Sequence, residues 1–76
     1  MITVKLFGLL RLETGIKQQQ MEAGTVKEAL QTLEAAGISG KVLSGCVIFV
    51  NNRPANRRTK LNNGDTVVLM PPVAGG

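Results

Sequence analysis

The side chains that most often carry out chemistry are scarce in this chain. It contains no histidine and a single cysteine, Cys46, which excludes histidine-ligated zinc and Ser-His-Asp or Cys-His catalysis within it. Cys46 opens an apolar run, where a buried thiol has a raised pKa and is a poor nucleophile. Glu13 and Glu22 have no carboxylate partner at a diagnostic spacing, and the scattered glycines form no phosphate-binding loop. We therefore predict no metal site and no catalytic side chain.

The C-terminal residues are the ones whose types and order point to a chemical role. The last apolar run is followed by Pro71, Pro72, Val73, Ala74, Gly75 and Gly76. The two prolines favour an extended path that cannot fold back as a helix. The small residues after them make the tail narrow enough to enter a channel and deliver the Gly76 carboxylate to a partner's active site. The alternative is a disordered terminus, although Gly-Gly is expected at a C-terminus in only about 0.5% of chains.

Length and composition predict one small domain to carry this tail. The chain has 76 residues, of which 43% are hydrophobic and 18% charged, an ordinary globular balance. Only 3% are aromatic, which argues against modules that stack nucleic-acid bases. No segment approaches the ~20 apolar residues needed to cross a bilayer, and Lys5 interrupts the apolar start of the chain. We expect a soluble cytoplasmic protein, and a lone cysteine suits a reducing compartment.

The net charge of +4 is unevenly distributed along the sequence. Residues 1–38 are balanced, so the whole excess lies in residues 39–76. This pattern indicates a basic patch that could meet an acidic partner and speed association. Its members are Arg53, Arg57, Arg58 and Lys60. The alternative is a solvated loop with spare positive charge.

Periodicity predicts a hairpin followed by one helix. Residues 2–7 alternate with period two, which indicates a strand with one face on a core. Gly8 and Gly15 bracket a connection, and residues 16–22, with three consecutive glutamines, suit a returning edge strand.

The helix has both a start and an end in the sequence. Apolar residues at i, i+3, i+4 and i+7 follow Thr25, and Thr25 and Glu28 have the spacing of a capping box, in which the Glu28 carboxylate reaches back to the Thr25 amide. Gly37 is placed to end the helix in a left-handed conformation.

Two further strands are predicted in the second half. Residues 46–50 and 66–70 are continuous apolar or β-branched runs, and the first is typical of a central strand buried on both faces. Residues 51–54 and 62–65 are predicted to be turns, because they contain asparagine, proline and glycine.

The order strand, strand, helix, strand, short edge segment, strand predicts an α+β fold. If the last strand inserts beside the first, the result is a β-grasp, or ubiquitin-like, mixed sheet of four to five strands with one main helix on one face. Ferredoxin-like fragments and a small barrel with a helical cap are alternatives. The domain is predicted to cover residues 1–70, with residues 71–76 as an extended tail.

The ending LNNGDTVVLMPPVAGG, residues 61–76, closely resembles that of the MoaD/ThiS family of ubiquitin-like sulfur carriers. The segments VKLFGLLRLETG, TVKEAL and FVNNRPA are compatible with the same family. The Pro-Pro-Val-Ala-Gly-Gly end looks most like MoaD, the small subunit of molybdopterin synthase. One departure is Asn52, where the family more often has glycine. Asparagine can adopt the same backbone angles at some cost.

The resemblance implies a mechanism centred on Gly76. An ATP-using enzyme would join the Gly76 carboxylate to AMP, and a persulfide or sulfide sulfur would displace AMP to leave a thiocarboxylate. In the MoaD case this sulfur would pass to a pterin precursor, forming the dithiolene that binds molybdenum or tungsten. The chain would then be a co-substrate and subunit that binds no cofactor. Nothing follows Gly76 in the sequence, so we expect the tail to need no proteolytic exposure.

The resemblance also implies partners and a surface that meets them. The partners would be an adenylating enzyme of the MoeB/ThiF type, a MoaE-like large subunit of molybdopterin synthase, and a sulfurtransferase or cysteine desulfurase, with no nucleic acid and no membrane. A hydrophobic sheet face near the last strands would bind them, with Leu69, Met70, Pro71 and Pro72 as candidates. The alternatives are a carrier for thiamine thiazole or another thiometabolite, a ubiquitin-like protein modifier, and a basic nucleic-acid-binding module.

Overall fold

Five strands and three helices follow one another in the part of the chain that the computed structural model describes, residues 1–71. In chain order they are β1 (Ile2–Leu6), α1 (Gly8–Thr14), β2 (Gln18–Met21), α2 (Val26–Ala35), α3 (Gly40–Ser44), β3 (Val47–Val50), β4 (Arg53–Ala55) and β5 (Thr66–Met70). The predicted strands and the main helix are all present.

The strands form one mixed sheet in the order β2-β1-β5-β3-β4. The last strand, β5, lies between β1 and β3, parallel to the first and antiparallel to the second. A parallel pair needs a long crossover with a helix on one face of the sheet, and α2 lies in the connection between these two strands. The predicted insertion of the last strand beside the first, and with it the β-grasp fold, is confirmed.

The core lies between one face of the sheet and the helices. Val4 and Leu6 of β1 lie opposite Val67 and Leu69 of β5, and all four are buried. The apolar stripe of α2 completes this cluster with Val26, Ala29, Leu30 and Leu33. Burial of each large aliphatic side chain contributes about 1.5–3 kcal/mol, so these facing stripes dominate the stability of the fold.

The start of α2 follows the predicted capping box with one difference. The Glu28 amide donates to Thr25 Oγ1 at 3.2 Å, as expected. The Glu28 carboxylate, however, accepts from the Gly24 amide at 2.7 Å and not from that of Thr25. Thr25 is extended and forms an isolated β-bridge with Lys60. The Glu28 carboxylate accepts instead from the amide of the preceding residue, Gly24.

The predicted end of α2 is confirmed. Gly37 has φ of +106°, and its amide donates to the Glu34 carbonyl at 3.0 Å. The Ile38 amide donates to the Leu33 carbonyl at 3.1 Å. These two bonds form a Schellman motif, which satisfies carbonyl groups that the last turn would leave unpaired.

Helices α1 and α3 were not predicted. Helix α1 occupies the connection between Gly8 and Gly15, so β1 and β2 are joined by a helical turn and not by a tight hairpin. Helix α3 has only five residues. Elements this short hold one or two buried positions, Leu10 in α1 and Leu43 in α3, too few to establish a period.

The prediction that residues 46–50 form a strand buried on both faces was wrong. The burial of β3 alternates, with Ile48 and Val50 in the core and Val47 49% exposed. Strand β5 alternates in the same way, and Met70 at its end is 44% exposed. The helices of residues 1–71 all contribute to the same core, so the other sheet face stays open and carries apolar side chains. A continuous apolar run is equally compatible with such a face.

The predicted turns are confirmed, with one boundary moved. Asn51 and Asn52 have φ of 51° and 68°, as a tight turn between two antiparallel strands requires. Arg53 and Pro54, predicted within the turn, belong to the edge strand β4. Proline is tolerated there because an edge strand can leave one side of its ladder unpaired.

Candidate functional site

The open sheet face is divided into an apolar and a polar half. Side chains at directly paired strand positions share a face, and the register puts Lys5, Val68, Phe49 and Pro54 in one row across it. The apolar side chains gather over β5, β3 and the end of β1. We define the apolar patch as Phe7, Val47, Phe49, Val68 and Met70. On the β1–β2 side the same face carries Thr3, Lys5, Gln18 and Gln20.

The predicted tail begins at the edge of the apolar patch. Strand β5 ends at Met70, and the Phe7 amide donates to the Leu69 carbonyl at 3.2 Å, which continues the parallel ladder to the base of the tail. Pro71 follows, half-buried. The base of the predicted tail therefore lies beside the apolar patch.

Gly8 makes room for the first tail residue. Its φ is +59°, and a Cβ at this position would lie 3.0 Å from Pro71 Cγ and 3.4 Å from Pro71 Cδ. Both the backbone conformation and the close approach favour glycine. Sequence reasoning missed this role, although a glycine directly after a strand was available as a sign of it.

The residues predicted to carry the chemistry lie beyond the described part of the chain. Pro72, Val73, Ala74, Gly75 and Gly76 fall outside residues 1–71, and their roles stay predictions. The boundary between domain and tail at residues 70 and 71 likewise stays a prediction, although β5 ends at that point.

The two strand residues predicted to contact partners differ sharply in exposure. Met70 projects from the open face and belongs to the apolar patch. Leu69 is 0% exposed, since it faces the helices, and its side chain is unable to meet a partner. This candidate was wrong, because adjacent strand residues point to opposite faces.

The predicted basic segment lies at the opposite end of the molecule from the tail. Arg53, Arg57, Arg58 and Lys60 are all exposed. The main chain of this segment holds the start of α2, because the Lys27 amide donates to the Arg57 carbonyl and the Val26 amide to the Thr59 carbonyl, each at 3.0 Å. The start of α2 follows β2, whose last residue pairs with the first residue of β1. The tail leaves beside the other end of β1, roughly 16 Å away along five strand residues.

Two ionisable side chains have shifted pKa values with local structural causes. Burial raises the pKa of the Cys46 thiol, whose Sγ donates to the Val42 carbonyl at 3.3 Å. Hydrogen bonds from the Asn62 amide and from Asn51 Nδ2 lower the pKa of Asp65. The Cys46 thiol packs against the core, as predicted, and the Asp65 carboxylate stabilises the turn at residues 62–65.

Comparisons with known proteins show the family and the fold of this chain. The family model described as the ThiS family matches residues 4–76. None of the curated proteins compared with the chain matches it significantly. No helix within residues 1–71 has the length and hydrophobicity to span a bilayer.

Solved structures share the fold over almost the whole chain. SAMP1 from Haloferax volcanii has a TM-score of 0.85 and 25% identity, covering 99% of this chain and 98% of that one. A chain of the complex of subunits 1 and 2 of molybdopterin-converting factor from Helicobacter pylori has a TM-score of 0.75 and 29% identity, covering 99% and 97%. A chain of the BexX/CysO complex from Amycolatopsis orientalis has a TM-score of 0.76 and 27% identity, covering 100% of both. The family resemblance predicted from the C-terminal motif is confirmed.

Proposed function

We propose that this chain, which belongs to the ThiS family of ubiquitin-like sulfur carriers, carries sulfur as a thiocarboxylate on Gly76 and donates it in molybdopterin synthesis. In this proposal it is the small subunit of a molybdopterin synthase. The placement of the tail base carries the proposal. Strand β5 ends at the edge of an exposed apolar patch, so one docking event buries the patch and directs the tail into the partner.

The chemistry requires two displacement steps at the Gly76 carboxyl group. A carboxylate is a poor electrophile, so its oxygen first attacks the α-phosphate of ATP, giving an acyl-adenylate and pyrophosphate. Hydrosulfide then attacks the carbonyl carbon, the bond to the phosphate oxygen breaks, and AMP leaves with that oxygen. The product is a thiocarboxylate, a better nucleophile than the carboxylate it replaces.

The partners supply everything but the carrier. An adenylating enzyme of the MoeB/ThiF type binds ATP and forms the acyl-adenylate. A sulfurtransferase or cysteine desulfurase provides the sulfur as a persulfide, and a thiol reductant releases it as hydrosulfide while forming a disulfide. A MoaE-like large subunit then binds the pterin precursor. The carrier holds no cofactor and contributes no catalytic side chain, since its role is to present Gly76.

Two observations favour molybdopterin over other acceptors. The Pro-Pro-Val-Ala-Gly-Gly ending looks most like that of MoaD, and the Helicobacter pylori neighbour is a molybdopterin-converting factor. The likeness to SAMP1 and to a chain of the BexX/CysO complex supports the alternatives, which are another thiometabolite and a protein modifier.

Intact mass spectrometry tests the sulfur-carrier step. The chain is incubated with an adenylating enzyme, ATP and a sulfur donor, and we expect a mass gain equal to one oxygen replaced by sulfur. Deletion of Gly76 should abolish the gain. Absence of the gain with an enzyme that thiolates a known carrier would contradict the proposal.

A second stage tests the acceptor. The thiocarboxylated chain is mixed with a large subunit and the pterin precursor, and we expect the mass to return to that of the carboxylate as the dithiolene forms. Retention of the sulfur would point to another acceptor. Covalent ladders in a denaturing gel of cell extract would indicate protein modification.

A further inference from the structure

A second basic cluster lies at the tail end of the molecule. Lys5, Arg11 and Lys17 line one depression of about 110 Å³ together with Phe7 of the apolar patch. All three cationic residues are exposed. Strand β1 brings Lys5 there, α1 brings Arg11, and the Lys17 carbonyl accepts from the Leu6 amide at 3.0 Å. We call these three residues the tail-side cluster.

The tail-side cluster has no counter-charge within residues 1–71. The one ion pair within residues 1–71 joins the N-terminal ammonium to Glu22. Three of the other carboxylates have positions elsewhere: Glu28 at the start of α2, Glu34 beside Gly40, and Asp65 in its turn. Glu13 lines a different depression, between α1 and α3. Like charges that converge without a partner repel one another, and carboxylates on a second protein would relieve that repulsion.

The position of the cluster indicates which kind of surface it meets. It borders the apolar patch at Phe7 and lies beside Gly8, where the tail begins. An apolar centre with a charged rim is typical of a protein–protein interface. A protein that receives the tail therefore places its own rim against Lys5, Arg11 and Lys17.

We infer that the tail-side cluster docks on an acidic rim of the adenylating enzyme, beside the channel that takes the tail. This inference rests on the proposed function. The adenylating enzyme must capture the free carrier and release it in every cycle of sulfur loading. Charge attraction suits such an encounter because it raises the association rate more than the final affinity. The Arg57–Lys60 segment, at the far end, lies more than a Debye length of about 8 Å away and contributes little.

Matched charge reversals distinguish the two basic regions. Arg11→Glu/Lys17→Glu changes the tail-side cluster, and Arg57→Glu/Arg58→Glu changes the far segment. Each pair takes the net charge from +4 to 0, so only the location of the change differs. Lys5 is left intact because it lies between Gln18 and Val68 within the sheet.

Stopped-flow association with the adenylating enzyme gives the readout. At about 0.15 M salt we expect the tail-side pair to lower the association rate constant about tenfold or more, and the far pair to lower it less than about threefold. The difference should shrink as salt is added. Circular dichroism confirms that both variants are folded, and Arg11→Gln/Lys17→Gln should give an intermediate rate.

Other outcomes would overturn the inference. Equal slowing by both pairs would show that net charge alone matters, and no slowing by the tail-side pair would remove the cluster from the interface. Amide shifts at Lys5 and Lys17 with ATP alone would assign it to the nucleotide. If the wild-type chain gains sulfur while all variants associate equally fast, the inference fails and the proposed function stands. If the wild-type chain neither binds nor gains sulfur, both fail.

Discussion

Gly8 and Pro71 meet at the base of the tail, and this contact sets a test at the level of single residues. Gly8→Ala introduces a Cβ only 3.0 Å from Pro71 Cγ, at a position with φ of +59°. We expect a loss of about 1–2 kcal/mol from the left-handed backbone and a slower gain of sulfur, because Pro71 must move. Denaturant unfolding and the rate of thiocarboxylate formation measure the two effects.

Gly15→Ala is the matched control for this substitution. Gly15 has φ of +72°, and a Cβ at this position would meet no atom within 4 Å, so the variant carries the same backbone cost without the contact. The control should lose comparable stability and keep the wild-type rate of sulfur gain. Equal rates for the two variants would show that Gly8 does not position the tail.

Asp65 gives the fold a dependence on pH. Donors from Asn62 and Asn51 lower its pKa in the folded state, so the ionised carboxylate stabilises the fold. This contribution is present above the unfolded pKa of about 3.9 and is lost as pH falls through the lower folded pKa. We expect Asp65→Asn to be less stable than wild type at pH 7, with the gap closing in acid. Thermal melts over a pH series measure it.

The control for Asp65 removes one of its donors. Asn51→Ala deletes the 2.9 Å bond from Asn51 Nδ2 to the Asp65 carboxylate. In the Asn51→Ala background, the stability difference between Asp65 and Asp65→Asn should therefore depend less on pH. A gap that stays constant from pH 7 into acid would argue against a stabilising ionised carboxylate.

At the level of elements, the hydrogen bond that caps the N-terminus of α2 contributes to the free energy of unfolding. Thr25→Ala leaves the Glu28 amide without its 3.2 Å acceptor, and we expect a loss of about 1 kcal/mol in the free energy of unfolding. Thr32→Ala is the control, since the Thr32 hydroxyl only donates to the Glu28 carbonyl within the helix. Urea unfolding should show a smaller effect there, and equal losses would contradict a special role for the cap.

Elements were predictable from the sequence where a period repeats. The alternation in β1 and the stripe of α2 each contain several buried positions, and both appear where predicted. The two short helices lack that repetition. The apolar run of β3 also misled, because the sequence does not distinguish an apolar side chain on an open sheet face from one buried in the core.

The proposed site can be predicted from the sequence only where its residues are consecutive. The tail motif lies within six consecutive residues, so its composition reveals it. The tail-side cluster combines Lys5 of β1, Arg11 of α1 and Lys17 of the connection before β2. These residues lie within a half of the chain whose charges sum to zero. In the fold these three cations come together, while the carboxylates that cancel their charge in the sequence sum lie elsewhere.

At the scale of the whole molecule, the buried core and the proposed docking surface lie on different faces of one sheet. The face toward the helices carries the fully buried residues, whereas Val47 on the open face is 49% exposed. Val47→Asp should therefore lower the free energy of unfolding by only about 1 kcal/mol. Binding to a MoaE-like large subunit, measured by titration calorimetry, should weaken about tenfold or more, because a carboxylate would have to be desolvated within the apolar patch.

Gln20→Asp separates this effect from the added charge. Gln20 lies on the same face, in the polar half on β2, and the substitution introduces the same carboxylate away from the apolar patch. It should leave the affinity within about threefold of wild type, since a rim carboxylate stays hydrated. Equal weakening by the two variants would mean that the partner covers the whole face. Unchanged binding by Val47→Asp would mean that the apolar patch is not the docking surface, and the tail would then have to be recognised without it.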